Sequence, residues 1–485
     1  MNIVLAFIYY AGIFGVFLTG LYKLRFFILF RKLPNRIGPT RKFEKLPKIT
    51  LQIPVYNEKY VVVKILNSIV DIEYPKSLLE IQILDDSTDE TSNLIQKTIS
   101  TTALRHMNIN HVKRVSRKGY KAGALKQGLK YATGEYIAIF DADFVIPRRF
   151  LLDTIPYFSA PSIGCVQARW EFLNANESNL TRVQALALRA HFQIEQQVRY
   201  HTNMFMTYNG TGGIWRKEAI LQSGNWNENN LTEDLELSFR AQLNSWKIVY
   251  ANHIVAYSLL PNRFADFKKQ QERWAKGSIQ SLKHLLLRIL QHKIDLRTRI
   301  EAAFQLARHL SFMFAFFTLM TMPWVLSQRP KHDPLNILDA IFFLLSTFLL
   351  FIYFLPVAEN RSKSLSTLKT FFMLCIYGLS LSPSIVLSII EGLICSSGEF
   401  NRTPKIVGKQ KTDVNPSYMP KVSGFDLVSA LVCSYFWVCI YVFFSEEFWI
   451  SKPLIFLTGF SLSIPIFAHL NIFVLNKYHN IKTRK

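Results

Sequence analysis

Cysteine is scarce in this 485-residue chain, and carboxylates are outnumbered. The five cysteines, Cys165, Cys375, Cys395, Cys433 and Cys439, show no CxxC spacing. That excludes a disulfide framework or a structural zinc built on cysteine pairs and leaves buried apolar thiols as the plain reading. Asp and Glu number 34 against 57 Lys and Arg, for a net charge of +23. Such a surplus suits nucleic acid, a membrane surface or a phosphate-rich substrate. No nucleic-acid module signature is present, and the basic residues gather beside apolar stretches, so nucleic acid is set aside as a partner. Internal repeats and low-complexity linkers are also missing.

Apolar residues, in contrast, reach 49% and are unevenly spread. They concentrate at 3–30, 302–327, 335–357, 365–394, 425–446 and 452–476, and most of these stretches reach the roughly 20 residues that span a bilayer. Between the first and second lies a long segment of ordinary globular composition. The expected layout is an anchor at 1–30, a soluble domain at 45–265, amphipathic interface helices at 266–300, a membrane bundle at 301–476 and a basic tail at 477–485. Lys23, Arg25, Arg31, Lys32 and Arg36 gather at and just after the C-terminal end of the first stretch, and no basic residue precedes it. An uncleaved anchor with the soluble domain in the cytoplasm follows from the positive-inside rule.

The soluble segment alternates strands and helices. Residues 49–55, 81–84, 109–112 and 136–140 read as strands. Helical spacing covers 59–70, the residues after Glu90, and 121–131. This pattern predicts an α/β fold with a doubly wound, mostly parallel sheet, whose ligands bind beyond the carboxyl ends of the strands. Acidic clusters sit at two of those ends.

Asp141-Ala142-Asp143 closes the strand Tyr136–Phe140. Residues i and i+2 share a strand face, so the two carboxylates can hold a hard divalent cation, Mg2+ or Mn2+, that bridges a diphosphate. Asp85 and Asp86 close an earlier strand, where they can accept from a nucleobase or ribose or cap the following helix. Tyr56 and Glu58 follow the first strand, placed for stacking on a base and binding a ribose, or for a plain turn. Lys121 opens a helix and can meet a phosphate or stay exposed. Glu233 and Asp234 precede an amphipathic run, as a helix cap or as the carboxylate that takes a proton from an attacking hydroxyl. In Gln270-Gln271-Glu272-Arg273-Trp274, residues 270, 273 and 274 share one helical face. An arginine there can fork onto a diphosphate, and a tryptophan offers a flat apolar face to a sugar ring or an anchor to the membrane.

Taken in order, these motifs resemble the processive branch of glycosyltransferase family 2, which contains cellulose, hyaluronan and chitin synthases. The resemblance covers roughly residues 45–410. Tyr208-Asn209-Gly210-Thr211-Gly212-Gly213 is similar to the FNGTAG motif of the plant cellulose synthase-like A and C families, which make mannan, glucomannan and the xyloglucan backbone. It implies a GT-A-type domain placed after one N-terminal transmembrane helix and before a C-terminal helical membrane bundle. It further implies an inverting, metal-dependent hexosyltransferase that polymerises a β-linked, β-1,4 hexose polysaccharide and moves it across the membrane. Tyr56, Glu58, Asp85, Asp86, Lys121, Asp141 and Arg273 would bind the nucleotide sugar, with Asp143 and Asp141 holding the metal. Asp234, beside Glu233, would be the base. Gln270, Trp274, Asn209, Gly210 and Thr211 would line the acceptor site. Phe400, Arg402, Thr403 and Lys405 are similar to a gating loop, at 398–412, that covers the nucleotide, with Arg402 where that family has Val. UDP-glucose is the favoured donor and GDP-mannose the second. A growing polysaccharide, the lipid bilayer and a homo-oligomer are the expected partners, and a bacterial inner membrane or a Golgi membrane the location. Too little chain follows the last apolar stretch for the cyclic-dinucleotide-sensing domain of bacterial cellulose synthase. The alternative activity is transfer of one or two hexoses to a lipid.

The gating-loop match bears on topology. If 365–394 spans the bilayer, the loop and the tail residues Lys477, Lys482, Arg484 and Lys485 fall outside. An interfacial or re-entrant 365–394 keeps both cytoplasmic, in line with the positive-inside rule. Pro383, amid Ser380, Ser382 and Ser384, also argues against a straight span. Five spanning helices and one interfacial segment are expected.

Overall fold

The computed structural model describes residues 3–34, 45–330, 333–358, 364–395, 424–444 and 457–467. Helix α1 (Ile3–Arg31) is apolar along its length. The expected alternation follows, with β1 (Ile49–Val55), α2 (Val62–Val70), β2 (Leu79–Asp85), α3 (Thr91–Thr101), β3 (Ile109–Lys113), α4 (Tyr120–Tyr131) and β4 (Tyr136–Ile139). Next come α5 (Phe150–Thr154), β5 (Ile163–Phe172), α6 (Asn179–Ala190), α7 (Gln197–His201), β6 (Gly213–Arg216), α8 (Lys217–Gln222), α9 (Glu233–Leu243) and β7 (Lys247–Ser258). Helix α2 starts at Val62 rather than at 59, because Asn57 turns the chain at φ 55° and the backbone of Val61 and Val62 folds back onto the Glu58 carbonyl.

The seven strands form one sheet in the order β3-β2-β1-β4-β6-β5-β7. Strands β1 to β4 pair in parallel, and β6 runs antiparallel between β4 and β5. Ile49, Leu51, Ile53, Ile81 and Ile83 of β1 and β2 are fully buried on the face that carries α2 and α3, and Leu84 packs on the opposite face with α4, as strands covered on both faces require. Register brings the functional ends together. Val55 lies opposite Asp85, and both Gln52 and Gly213 lie opposite Ile139. The loops after β1, β2 and β4 and the loop entering β6 therefore open on one edge of the sheet.

Beyond the sheet, α10 (Phe264–Gln291) and α11 (Leu296–Leu306) lead into α12 (Leu310–Ser327), α13 (Pro334–Phe354), α14 (Ser364–Ile394) and α15 (Gly424–Phe444). A shorter apolar helix, α16, covers Leu457–Phe467. Among the described residues five helices, α1, α12, α13, α14 and α15, are long and apolar enough to cross a membrane. Small residues let α1 lie close to its neighbours, as in membrane helix pairs: a Cβ at Gly12 or Gly15 would fall 2.1 Å from Thr318 or 2.3 Å from Phe314.

Helix α14 differs from the others. Its apolar window is 56% buried, against 22–28% for the other four. Leu374 in its first half packs with Phe26, Ala190 and Tyr353, where α1 and α13 meet the α/β domain. Leu381, Ile385 and Ile389 in its second half pack on Phe264, Ala275 and Ile279 of α10. Both halves therefore touch the domain. Pro383 does not interrupt the helix. A proline at 383 leaves the Leu379 carbonyl without its usual N–H partner, and the Ser382 hydroxyl donates to that carbonyl at 2.8 Å.

Candidate active site

The loops at the functional edge and the first half of α10 enclose a cavity of about 440 Å³. One part of its wall is formed by Tyr56 and Glu58 after β1, Asp86 after β2, and Arg117, Tyr120 and Lys121 around the start of α4. The Arg117 guanidinium lies 3.4 Å from the centroid of the Tyr56 ring. Asp86 is fixed by Arg114, whose Nε donates to Oδ1 at 2.8 Å. Asp85 departs from the expectation. It does not line the cavity, and its carboxylate turns inward to accept from Ser92 and meet His111 Nε2 at 2.8 Å. Burial favours its neutral form, but those hydrogen bonds outweigh burial and hold its pKa at about 2. Strand alternation explains the split: consecutive residues face opposite ways, so only Asp86 reaches the wall.

Asp141 and Asp143 also line the cavity. Lys121 Nζ donates to Asp141 Oδ1 at 2.5 Å and to the Gly210 carbonyl at 3.0 Å, tying α4 to both motifs. Burial alone would lower the Lys121 pKa, but Asp141 and Glu233 outweigh it and the ammonium is stabilised. Asp143 Oδ2 accepts from Ser258 at the end of β7, at 2.8 Å. Thr211 is fully buried and does not line the cavity; its Oγ1 accepts from the Asp141 backbone N–H at 2.9 Å. It positions the acidic loop rather than presenting itself to a ligand.

Glu233 and Asp234 open α9 facing the same space. Burial, then the neighbouring Asp234 carboxylate, pushes the Glu233 pKa up to about 7, against the opposing pull of Lys121. Burial also raises Asp234, with Lys121 again opposing. Two backbone features make room here. Gly210 has φ +83°, and a Cβ on it would sit 2.9 Å from Asp234 Oδ2. Gly277 lets α10 approach the loop before α9, since a Cβ there would fall 2.5 Å from Thr232. Gln270, Arg273 and Trp274 share the helical face that closes the cavity, as their spacing predicts, and Gln271 joins them. Burial lowers the Arg273 pKa, opposed by Glu233, Asp141 and Asp234. One guanidinium thus stands within electrostatic reach of all three carboxylates.

The remaining wall was not legible as a motif. A π-helical turn, His191–Gln196, joins α6 to α7, a distortion often found at functional sites. His191 Nε2 meets Asn209 Oδ1 at 3.0 Å, so the turn braces the Asn209–Gly210 loop. Glu195 is clamped by Lys23 of α1, by Arg199 at 3.1 Å and by the Tyr353 hydroxyl of α13 at 2.9 Å. Burial opposes its charge, yet Lys23 and Arg199 hold its carboxyl well below the usual range. Lys23, Arg308, His309, Tyr353 and Phe354 complete the wall and carry the cavity to the apolar helices. Phe400, Arg402, Thr403 and Lys405 lie outside the described residues.

Asp141 and Asp143 fit a hard divalent cation held by two carboxylates plus substrate phosphate oxygens, the usual arrangement for Mg2+. Among the described residues there is no cluster of three or more His, Cys, Asp or Glu that would hold a metal without substrate.

The chain matches the family model described as glycosyltransferase like family 2 over residues 47–277. It is 41% identical over 252 residues to a probable glucomannan 4-beta-mannosyltransferase 7 of Oryza sativa subsp. japonica, covering 51% of this chain and 43% of the relative. It is 38% identical over 252 residues to glucomannan 4-beta-mannosyltransferase 9 of Arabidopsis thaliana, covering 51% and 47%. The chain thus spans about half the length of the curated relatives it matches. Among solved structures it is similar to the mannosyltransferase PcManGT from Pyrobaculum calidifontis in complex with GDP-Man and Mn2+. There the TM-score is 0.54 and the identity 19%, over 78% of this chain and 98% of that one. That likeness shows the same GT-A fold. Matched motifs, fold and site geometry agree in one respect: residues 47–277 are similar to glycosyltransferase like family 2 and to relatives named for glucomannan mannosyl transfer, and they share the GT-A fold.

Proposed function

We propose that this protein is a membrane-bound, processive inverting mannosyltransferase that elongates a β-1,4-linked mannan or glucomannan from GDP-mannose. The observation that carries the proposal is the convergence of Asp141, Asp143, Asp234, Arg273 and Trp274 on one cavity that continues to the membrane helices. The preference among donors moves from UDP-glucose to GDP-mannose, because the relatives are named for mannosyl transfer and the structural neighbour was solved with GDP-Man.

The base and ribose lie toward Tyr56, Glu58 and Asp86, and the diphosphate toward Asp141, Asp143 and Arg273. A divalent cation held by Asp141 and Asp143 would neutralise the diphosphate as its charge develops. Arg273 adds a fixed positive charge in a water-poor site, where it favours departure of the nucleoside diphosphate. Trp274 offers its face to the acceptor sugar. The acceptor hydroxyl oxygen bonds to C1 as the C1–oxygen bond to the diphosphate breaks, and the hydroxyl proton passes to Asp234. Inversion follows from that single displacement. Lys121 holds Asp141 and the Gly210 loop in register.

The α/β domain lies on the cytoplasmic side, and α14 rests in the interface beneath it. Contacts of both halves of α14 with the domain support this arrangement.

The test uses purified protein in lipid vesicles with radiolabelled GDP-mannose or UDP-glucose, with Mn2+ or a chelator. Long polymer digestible by β-1,4-mannanase, formed from GDP-mannose and abolished by chelation, is expected. Product found only in the lipid extract, carrying one or two hexoses, would replace polymerisation with glycolipid synthesis.

A further inference from the structure

A second pocket of about 270 Å³ lies at the β5–β7 edge of the sheet, away from the catalytic cavity. It exists because of a register break. Ala168 pairs with Ala251, but Arg169 pairs with Val255, so Asn252, His253 and Ile254 are extra residues on β7. The gap beside them is closed by Gln197, Tyr200 and His201 of α7 and by Tyr250.

Arg169 is the informative residue. Its Nε is buried and has no hydrogen-bond partner. Among the described residues its guanidinium makes no ion pair. Glu171, two positions along and on the same strand face, is taken by Arg189 at 2.8 Å. No Asp or Glu lines the pocket. A buried guanidinium N–H left without an acceptor is costly, and an entering anion removes that cost. The other lining groups are imidazoles, amides and phenol hydroxyls, which bind hydroxyls and oxyanions alike. Tyr250 already orients one of them, donating to Asn252 Oδ1 at 3.4 Å.

We infer that this pocket binds a small phosphorylated sugar, with the phosphate on Arg169 and the hydroxyls on Gln197, Asn252 and Tyr200. A lone phosphate would leave much of the volume empty. The site has two links to the catalytic cavity. Helix α7 carries Gln197, Tyr200 and His201 on the pocket side, and its Arg199 grips Glu195 in the catalytic wall. Trp170, next to Arg169, lines the catalytic cavity itself.

The test is calorimetric titration of the full chain in detergent, with saturating GDP and Mg2+ to occupy the catalytic cavity. Mannose 6-phosphate, inorganic phosphate and mannose are the probes. Mannose 6-phosphate is expected to saturate one site, inorganic phosphate to bind at least about tenfold more weakly, and mannose not to bind. Arg169→Gln should weaken mannose 6-phosphate by about tenfold or more, the loss of one charged hydrogen bond, and leave GDP affinity unchanged. His201→Gln, a milder change at the pocket rim, should weaken it in the same direction if Arg169→Gln does not fold. No saturation by about 10 mM, a weak-binding limit, overturns the inference. So does equal affinity for inorganic phosphate or mannose, or undiminished binding in the variants.

Discussion

Replacing Glu233 by Gln should stabilise the ligand-free protein at alkaline pH and weaken its activity. Burial and the adjacent Asp234 raise the Glu233 pKa from 4.5 to about 7. The folded chain therefore binds more protons than the unfolded chain between pH 4.5 and 7. Stability falls as pH rises through that window, and the whole cost is present above it. At about 1.4 kcal/mol per pH unit, the cost above pH 7 is at most about 3.5 kcal/mol. Gln keeps the shape and never ionises, so it removes this cost. For a domain of this size, 1 kcal/mol moves the Tm by about 2–4 °C. The variant should thus melt several degrees higher than the parent at about pH 8 and close to it at about pH 5, where Glu233 is already protonated. Thermal unfolding in detergent across pH, followed by tryptophan fluorescence, measures both. A Tm difference that is the same at the two pH values, or a variant that is less stable at the higher one, would refute the reasoning.

Asp234→Asn should lower sugar transfer by about 10²–10⁴-fold, the usual contribution of a general base, and leave GDP binding intact. Unchanged transfer in a radiolabel assay would remove Asp234 from the mechanism. Gly210→Ala should cut the rate at saturating donor, because φ +83° strains an L side chain and its Cβ would crowd Asp234 Oδ2 at 2.9 Å; a full-rate variant would show that the loop can move aside. Glu195→Gln should destabilise the protein by about 3–5 kcal/mol, since it leaves Lys23 and Arg199 without their shared carboxylate. Adding Lys23→Met should recover part of that loss, and equal Tm values for all three proteins would count against the clamp.

Much of the site was legible in the sequence because its chemistry sits in short, contiguous motifs. Asp141-Ala142-Asp143 follows an apolar strand, and the i, i+3, i+4 spacing of Gln270, Arg273 and Trp274 places them on one face; the folded chain keeps both. Strands β5, β6 and β7 were less visible. Strand β6 has four residues, too few for a period. Strands β5 and β7 carry Gln167, Arg169, Asn252 and His253 within them, which blurs an apolar run. Asp85 and Thr211 lay inside recognisable motifs, but only packing shows that each supports a neighbour instead of facing the ligand.

By itself the sequence determined the order of the parts: an apolar N-terminal helix, an α/β domain with carboxylates at its strand ends, a helix carrying the arginine and tryptophan, and a set of apolar helices. Those features depend on local periodicity and on residue type. The tertiary structure decided which side chains meet across long distances in the chain. Lys23 reaches Glu195, Lys121 joins Asp141 to Gly210, and α14 lies against α10 and α6 with both halves touching the domain. Burial, which raises Glu233 and leaves the Arg169 Nε without a hydrogen-bond partner, is a property of the packed chain, because the desolvation of a polar group depends on every element that closes around it.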